Sequence, residues 1–247
     1  MSVDVRDAID PEVLKDVFAW FGRVDGLFST WRDDTEIVRL ARGELIPAHV
    51  SSEVQIVLEL CEALRADTGG AFDIAATARL PPPHPPGWCA LDPSGLVKGW
   101  ALEQAATVLA AAGATHLCIN AGGDVVVRGQ PGPDELWRVG IQHPWVHDRL
   151  TAVLAVSDVG VATSGRYQRG DHVIDPRTGR PADGVASATV VDPDLAMADA
   201  HATAIVALGH DALDWLETRT NIAAMVITDD HDVYVTRHFD RYRAASH

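Results

Sequence analysis

The stretch Val185-Ala-Ser-Ala-Thr-Val-Val-Asp-Pro-Asp-Leu-Ala-Met-Ala-Asp-Ala-His-Ala-Thr-Ala-Ile-Val-Ala-Leu-Gly209 joins two kinds of secondary structure with almost no loop between them. Residues 185–191 are typical of a strand, since valine and threonine are frequent among them. Residues 194–208 predict a helix, which Gly209 ends. This part of the chain therefore predicts a strand that leads directly into a helix.

Helix and strand patterns mix along the whole chain, and the last strands follow one another closely. Helical patterns cover 8–27, 51–66, 97–112 and a short piece near 211–219, while further strand patterns cover 115–120, 125–127, 137–142, 151–156, 159–163, 222–228 and 232–236. Close spacing of strands favours an antiparallel or mixed sheet over a doubly wound parallel one. The predicted fold class is therefore mixed α/β (α+β), with an extended mixed or antiparallel sheet and packed helices.

Length and charge limit the classes of protein. A chain of 247 residues, 47% of them hydrophobic, can bury a sizeable core, so we expect a single domain over 1–247. Five prolines within Pro81–Pro86 predict a surface loop near 80–88. The formal charge of -15 argues against a nucleic-acid partner or an anionic membrane, because phosphate groups bind clustered lysine and arginine.

The cellular compartment is predicted from cysteines and from the absence of a leader pattern. Cys61, Cys89 and Cys118 stand singly in apolar segments, without a CxxC pair, as buried free thiols do. The first residues show no basic and apolar leader, and no run of about 18 apolar residues occurs. We therefore expect a cytoplasmic protein that does not cross a membrane.

Asp199 and Thr203 stand four residues apart in the predicted helix, so their side chains share one face. A carboxylate and a hydroxyl are hard oxygen ligands, which suit Mg²⁺ together with the phosphates of a substrate. In the alternative interpretation, Asp199 balances the helix dipole near the helix start and Thr203 packs within the helix. These two residues alone leave both interpretations open.

The segment His172-Val-Ile-Asp-Pro-Arg-Thr-Gly179 concentrates polar groups beside apolar strands. Its last five residues, from Asp175, are also a good turn sequence, with proline at the second position and glycine for a positive φ. A turn explains Pro176 and Gly179, whereas a site for a phosphorylated ligand would explain His172. The segment alone does not decide between the two.

Three further segments are ambiguous in the same way. Asp92–Gly99 opens a helix whose exposed amides, with Lys98 beside them, suit an anion, although a plain helix start explains the segment too. Asn120-Ala-Gly-Gly-Asp124 permits close approach of a ligand or simply turns a hairpin. Thr163-Ser-Gly165 ends a strand before two arginines, as a phosphate site or a solvated loop does.

Several enzyme classes find no support in the motifs. The sequence has no HExxH, no P-loop and no GxGxxG. Zinc proteases of that type, Walker nucleotidases and Rossmann dehydrogenases are therefore not favoured.

Four of these segments, together with one further segment at residues 70–73, occur in one order along the chain. They are Gly70-Ala-Phe-Asp73, DPSGLVKGWALEQAA from Asp92, NAGGD from Asn120, TSG followed by HVIDPRTG over 163–179, and ADAHATAIVALG from Ala198. Upstream, Leu27-Phe-Ser29 and Asp34–Leu40 belong to the same pattern. Over roughly residues 20–210 the chain resembles the ApbE family, the FAD:protein FMN transferases.

The resemblance implies a mixed α/β fold related to the T-fold and an enzyme that depends on Mg²⁺ and takes FAD as its substrate. Such enzymes transfer FMN from FAD to a Ser or Thr hydroxyl of another protein, through a phosphoester, and release AMP. The implied partners are therefore FAD and an acceptor protein that carries a Ser/Thr flavinylation site.

The resemblance also implies roles for individual residues. It places Mg²⁺ at the side chains of Asp199 and Thr203 and at the backbone carbonyl of Gly95. The implied FAD-binding residues are Ala71, Phe72, Asp73, Asp92, Gly95, Lys98, Asp175 and Thr178, to which we add Ser164 for its hydroxyl. His172 is implied as the base that removes the acceptor's proton, a role that suits histidine, whose ordinary pKa is about 6.5.

Three departures from the family pattern concern FAD binding. The usual Met-Gly-Thr segment, which contributes to the flavin site, is missing near the first strand, and residues 2–6 stand in its place. Ala41 occupies the position of a usual asparagine, and Arg166 follows TSG where aspartate is frequent. Either the natural chain starts further upstream or the flavin end of the pocket is built differently, while the metal residues are intact.

Two other functions use the same residues. One is a Mg²⁺-dependent FAD pyrophosphatase that gives FMN and AMP, with water in place of the acceptor hydroxyl. The other is a non-catalytic FAD-binding protein. The presence of His172, Asp199 and Thr203 favours an enzyme over a simple binding protein.

Overall fold

The computed structural model describes residues 1–80, 82, 87–146, 148–165 and 173–244. The helices are α1 (Glu12–Phe28), α2 (Glu36–Ala41), α3 (Ser52–Asp67), α4 (Ser94–Ala111), α5 (Leu195–Leu208) and α6 (Ala212–Glu217). The strands are β1 (Ser2–Val5), β2 (Leu117–Ala121), β3 (Asp124–Arg128), β4 (Trp137–Gln142), β5 (Leu150–Val156), β6 (Val159–Gly165), β7 (Ile174–Asp175), β8 (Arg180–Pro181), β9 (Val185–Asp192), β10 (Ala223–Thr228) and β11 (Val233–Val235). None of the described helices is long and apolar enough to cross a bilayer.

The central sheet joins strands from the beginning and the end of the chain. Its order over the described residues is β1-β2-β3-β6-β9-β10-β11, and each neighbouring pair is antiparallel. Two smaller sheets are formed by β4 with β5 and by β7 with β8. The predicted fold class, mixed α/β with an extended antiparallel sheet, is therefore confirmed.

Both faces of the central sheet are covered, which explains why its inner strands are apolar almost throughout. On one face, Val126 and Val190 belong to the core that contains the helices. On the opposite face, Val127 and Val161 pack in a second core against the β4–β5 hairpin and Phe239. Successive residues of each strand therefore enter different cores.

Helices α4 and α5 cross at a very short distance on the helical face of the sheet. A Cβ atom on Gly99 of α4 would overlap the backbone carbonyl of Leu195, the first residue of α5. A Cβ atom on Gly160 of β6 would lie 2.5 Å from the Cα atom of the same leucine. The start of α5 is therefore held between a helix and a strand, and each contact requires the absence of a side chain.

Polar side chains fix the backbone amides at this end of α5. Asp194 accepts a hydrogen bond from the Ala196 amide at 2.8 Å, as an N-cap residue does. Glu103 of α4 accepts one from the Leu195 amide at 2.8 Å and pairs with Arg128 of β3 at 2.5 Å. These contacts join α4, α5 and the sheet at one point.

Most elements lie within a few residues of their predicted bounds. Helix α1 begins later than the pattern suggested, at Glu12, whose backbone amide donates a hydrogen bond to the side chain of Asp10. Helix α4 begins earlier, at Ser94, whose backbone amide donates a hydrogen bond to the side chain of Asp92. The sequence patterns did not separate β1, which pairs with β2, or the short helix α2. For the predicted proline-rich loop, Pro81 and residues 83–86 lie outside the described ranges.

We expect Gly99→Ala to lower the free energy of unfolding by roughly 1–3 kcal/mol, because the added methyl group overlaps the start of α5. Chemical denaturation followed by circular dichroism measures this change. Gly26→Ala in α1 is the matched control, since a Cβ atom there meets no atom within 4 Å. Helix propensity alone predicts that the control gains up to about 1 kcal/mol. Equal stability of the two variants would contradict the close crossing.

Candidate active site

A cavity of about 340 Å³ opens where the start of α4, the middle of α5 and the end of β6 meet. Nine of the predicted site residues line it: Ala71, Phe72, Asp73, Asp92, Gly95, Lys98, Ser164, Asp199 and Thr203. The remaining lining residues are Ile74, Ala76, Thr77, Ser94, Gly122, Thr163, Gly165, Val173, Ile174, Pro176 and Ala207. Five segments that are far apart in the sequence therefore converge on one space.

Asp199 lies on α5 at the buried side of this cavity, with 3% of its surface exposed. Its Oδ2 accepts a hydrogen bond of 3.0 Å from the backbone amide of Gly99. Burial, and to a smaller extent the negative charge of Asp124, raise the pKa of the Asp199 carboxyl to about 7. The Lys98 ammonium and the Gly99 amide act in the opposite direction. Asp199 is thus a buried carboxylate whose charge is only partly compensated.

Hydroxyl and backbone groups surround Asp199 at the next turn of α5. The hydroxyl oxygens of Thr203 and Ser164 are 3.1 Å apart and share a hydrogen bond between α5 and β6. A Cβ atom on Gly95 would lie 2.9 Å from Thr203 Oγ1, so the backbone of α4 passes directly against this threonine. The predicted set of Gly95, Asp199 and Thr203 is therefore brought together by α4 and α5.

Asp124, the last residue of the Asn120–Asp124 segment, lies at this site, although the sequence patterns predicted no role for its carboxylate. It is fully buried at the start of β3, and its Oδ2 lies 2.6 Å from the Lys98 ammonium. Its Oδ1 accepts a hydrogen bond of 3.1 Å from the Thr163 amide of β6. Burial raises the pKa of Asp124, and Lys98 lowers it. The available signal was a carboxylate directly before Val125–Val127, a strand that is buried on both faces.

Asp73 and Asp92 line the cavity and also hold the backbone around it. Asp73 accepts a hydrogen bond from the Ala75 amide at 2.9 Å and pairs with Arg79 at 2.9 Å. The Arg79 guanidinium also donates to the Pro176 carbonyl at 3.1 Å. Asp92 bonds the Ser94 amide at the first turn of α4, at 3.0 Å. Both carboxylates therefore have a structural role besides any contact with a ligand.

Asp175 and Thr178 do not line the cavity among the described residues; they build the turn between β7 and β8. The buried Asp175 pairs with Arg177 at 2.9 Å, and its carbonyl accepts the Gly179 amide at 2.8 Å. Thr178 accepts a hydrogen bond from the Arg180 amide. Arg177 also donates to the Leu208 carbonyl at 3.1 Å, which attaches the turn to the end of α5. The turn interpretation of this segment therefore holds for both residues.

His172 lies outside the described residues, as do Arg166 and Arg169. The next residue in the chain, Val173, lines the cavity together with Ile174 and Pro176. The segment that follows His172 is therefore part of the cavity wall, and the role of the histidine stays a prediction.

The donor atoms near Asp199 fit a hard divalent cation. They are the Asp199 carboxylate and the hydroxyls of Thr203 and Ser164, and the backbone of Gly95 lies directly against Thr203. Carboxylate, hydroxyl and carbonyl oxygens are ligands that Mg²⁺ accepts. Over the described ranges, no group of three or more His, Cys, Asp and Glu side chains could hold a metal ion. A cation at Asp199 would therefore complete its coordination with neutral oxygens, water and oxygens of a substrate.

The sequence was compared with those of known proteins. Several FAD:protein FMN transferases are similar to the chain. The protein from Rhodobacter capsulatus is 36% identical over 155 residues, which are 59% of this chain and 29% of that protein. The one from Escherichia coli (strain K12) is 34% identical over 158 residues, 59% and 44% of the two chains. The matches thus span less than half the length of these two relatives. One from Klebsiella pneumoniae (strain 342) is 27% identical over 268 residues, 86% and 75% of the two.

Solved structures share the whole fold. The flavin transferase ApbE from Vibrio cholerae has a TM-score of 0.81 at 23% identity, covering 97% of this chain and 94% of that one. The flavinyl transferase ApbE from Pseudomonas stutzeri, in its apo form, has a TM-score of 0.83 at 23% identity, with 99% and 93% covered. The model of the ApbE family matches residues 1–80 and 84–226. The chain therefore belongs to the ApbE family.

Proposed function

We propose that this chain is a Mg²⁺-dependent FAD:protein FMN transferase, which transfers FMN from FAD to a Ser or Thr hydroxyl of an acceptor protein and releases AMP. The observation that carries the proposal is the buried carboxylate of Asp199 beside Thr203 and Gly95 at the wall of one cavity. Membership of the ApbE family, whose curated relatives are named FAD:protein FMN transferases, supports FAD as the donor.

Asp199, Thr203 and the Gly95 carbonyl are the residues that would hold Mg²⁺. When bound, the ion would neutralise the pyrophosphate of FAD and stabilise the charge that develops at the reacting phosphorus. The Gly99 amide fixes the orientation of the Asp199 carboxylate, and Ser164 fixes the hydroxyl of Thr203. Both ligands are thus held in position before substrate arrives, which is the condition for efficient electrostatic stabilisation.

Lys98 and the first turn of α4 provide the positive potential for the donor. The Lys98 side chain is 38% exposed at the cavity wall, so its ammonium reaches the space that a ligand would occupy. The amides at a helix N-terminus add partial positive charge, which favours a phosphate group nearby. Asp73 and Asp92 shape the same wall, and the apolar Ala71 and Phe72 behind them are almost fully buried.

The reaction exchanges the phosphoanhydride bond of FAD for a phosphoester bond to the acceptor. The acceptor hydroxyl oxygen forms a bond to the phosphorus of the FMN half, and the bond from this phosphorus to the bridging oxygen breaks. AMP leaves with that oxygen, and the hydroxyl proton passes to a base. We propose His172 for the base, because it immediately precedes the cavity-lining Val173 and histidine titrates near neutral pH.

The acceptor is a second protein, and the cytoplasm is the proposed place of the reaction. Cys61, Cys89 and Cys118 are free thiols, and the first two are buried. Unpaired thiols of this kind suit a reducing compartment.

Incubation with FAD, MgCl₂ and cell extract tests the proposal. We expect one or more proteins to gain a flavin that stays fluorescent on a denaturing gel, with one AMP released for each FMN attached. Mass spectrometry of the labelled band should place FMN on a Ser or Thr residue. FMN and AMP without a labelled protein would support the pyrophosphatase instead. Bound FAD with neither product would leave a flavin-binding protein.

Asp199→Asn provides the internal control of this assay. The amide keeps the shape and the hydrogen bond from Gly99 but removes the negative charge, so we expect both products to disappear. Asp214→Asn, on the exposed face of α6, is the matched variant and should retain full activity. An Asp199→Asn variant that is as active as the control would contradict the metal assignment.

His172→Ala should lower kcat for transfer by about 10²–10⁴-fold, because a positioned general base contributes about that much. The affinity for FAD should change little, since the proposed role concerns the acceptor proton. Steady-state kinetics with a purified acceptor separates the two quantities. His231→Ala, at an exposed turn, is the control. A change of less than about threefold in kcat for His172→Ala would reject this base.

A further inference from the structure

Lys98 and Asp199 line the cavity, and a second buried carboxylate, that of Asp124, contacts Lys98 from behind the cavity wall. Asp124 is 0% and Asp199 3% exposed, so both carboxylates are buried. The ammonium is in direct contact with Asp124 at 2.6 Å, and it also acts on Asp199 through space. Two carboxylates against one ammonium leave a net charge of one negative unit. A single lysine therefore cannot neutralise both buried acids.

Lys98 has a short path to Asp199. The next residue, Gly99, donates its backbone amide to the Asp199 carboxylate, so the lysine side chain begins beside this acid. Lysine carries its charge on a flexible stem of four carbons, which can direct the ammonium to either carboxylate. Buried charges that lack a partner are costly, so each acid attracts the ammonium strongly.

The carboxylate of Asp124, which contacts the Lys98 ammonium, is itself held in a fixed position. The acid is fully buried on β3, and the amide of Thr163 from β6 fixes one of its oxygens at 3.1 Å. The other oxygen is directed to Lys98. The position of Asp124 is thus set by the pairing of two central strands, whereas Lys98 reaches it on a long side chain with several rotatable bonds.

We propose that Asp124 is a positioning residue that holds the Lys98 ammonium on the β3 side of the cavity and so leaves the Asp199 carboxylate to the divalent cation. Without the charge of Asp124, Lys98 would turn to Asp199 and compete with the cation for it. This inference rests on the proposed function, because it concerns the same cation site. It assigns to Asp124 a role in metal affinity although the residue itself does not line the cavity.

Titration of Mn²⁺ alone into the purified protein, with free Mn²⁺ followed by electron paramagnetic resonance, tests the inference without turnover. Mn²⁺ takes the same hard oxygen ligands as Mg²⁺. We expect Asp124→Asn to raise the Kd for Mn²⁺ by about tenfold, since an internal ammonium then competes for Asp199. Lys98→Met combined with Asp124→Asn should restore the Kd to within about twofold of the unmodified protein, because the competitor is gone.

The controls separate this effect from loss of structure. Asparagine at position 124 still accepts the Thr163 amide, and circular dichroism melting verifies that each variant is folded. Asp158→Asn changes a turn carboxylate between β5 and β6 and should bind Mn²⁺ like the unmodified protein. Lys98→Met alone, which keeps Asp124, should bind Mn²⁺ at least as tightly as the unmodified protein.

Two results would overturn the inference while the proposed function stands. One is an Asp124→Asn variant with unchanged Mn²⁺ affinity. The other is a double variant that binds as weakly as Asp124→Asn, because its loss would then not depend on Lys98. Failure of the unmodified protein to bind Mn²⁺ would instead contradict the cation site itself, and the role of Asp124 with it.

Discussion

The close crossing of α4 and α5 is the constraint on which the site depends. Helices usually pack with their axes about 8–10 Å apart, separated by side chains. Gly99 removes the side chain at the crossing, so its backbone amide reaches the carboxylate of Asp199. The same approach brings Gly95 against Thr203 one turn away. A larger residue at position 99 would separate the backbone carbonyl of one helix from the side-chain oxygens of the other.

The crossing has an electrostatic cost that Lys98 and the Gly99 amide compensate only in part. Burial raises the pKa of Asp199, and Asp124 adds a second negative charge nearby. A fold selected for stability alone would place apolar residues there, since isolated buried charge is unfavourable. Strongly shifted carboxyl groups in a cavity are characteristic of functional sites. The site therefore holds an unfavourable negative charge, which the proposed divalent cation would compensate.

The sequence predicts the parts of this site that lie within one element, and it fails where elements meet. Asp199 and Thr203 share a helix face at a spacing of four residues, so their proximity follows from helix geometry. The approach of Thr203 to Gly95 requires two helices to cross, and residues 112–194 separate these helices in the sequence. The family resemblance, and not the spacing, predicted that Gly95 belongs to this set.

Asp124 shows the limit most clearly. Its segment has the composition of an ordinary hairpin, and nothing in the local pattern indicates that Lys98 lies opposite. The contacts of Asp175 and Thr178, by contrast, are explained by the turn that the sequence predicts over these residues. Propensity and turn rules describe local backbone, whereas ion pairs between β3 and α4 depend on sheet order.

Diffraction from crystals grown with FAD and MnCl₂, with anomalous differences measured for manganese, tests the central claim most directly. The account predicts one strong anomalous peak bonded to the Asp199 carboxylate, the Thr203 hydroxyl and the Gly95 carbonyl, with phosphate oxygens of FAD completing the coordination. A manganese position that does not contact Asp199, or FAD bound away from the wall formed by α4 and α5, would contradict it.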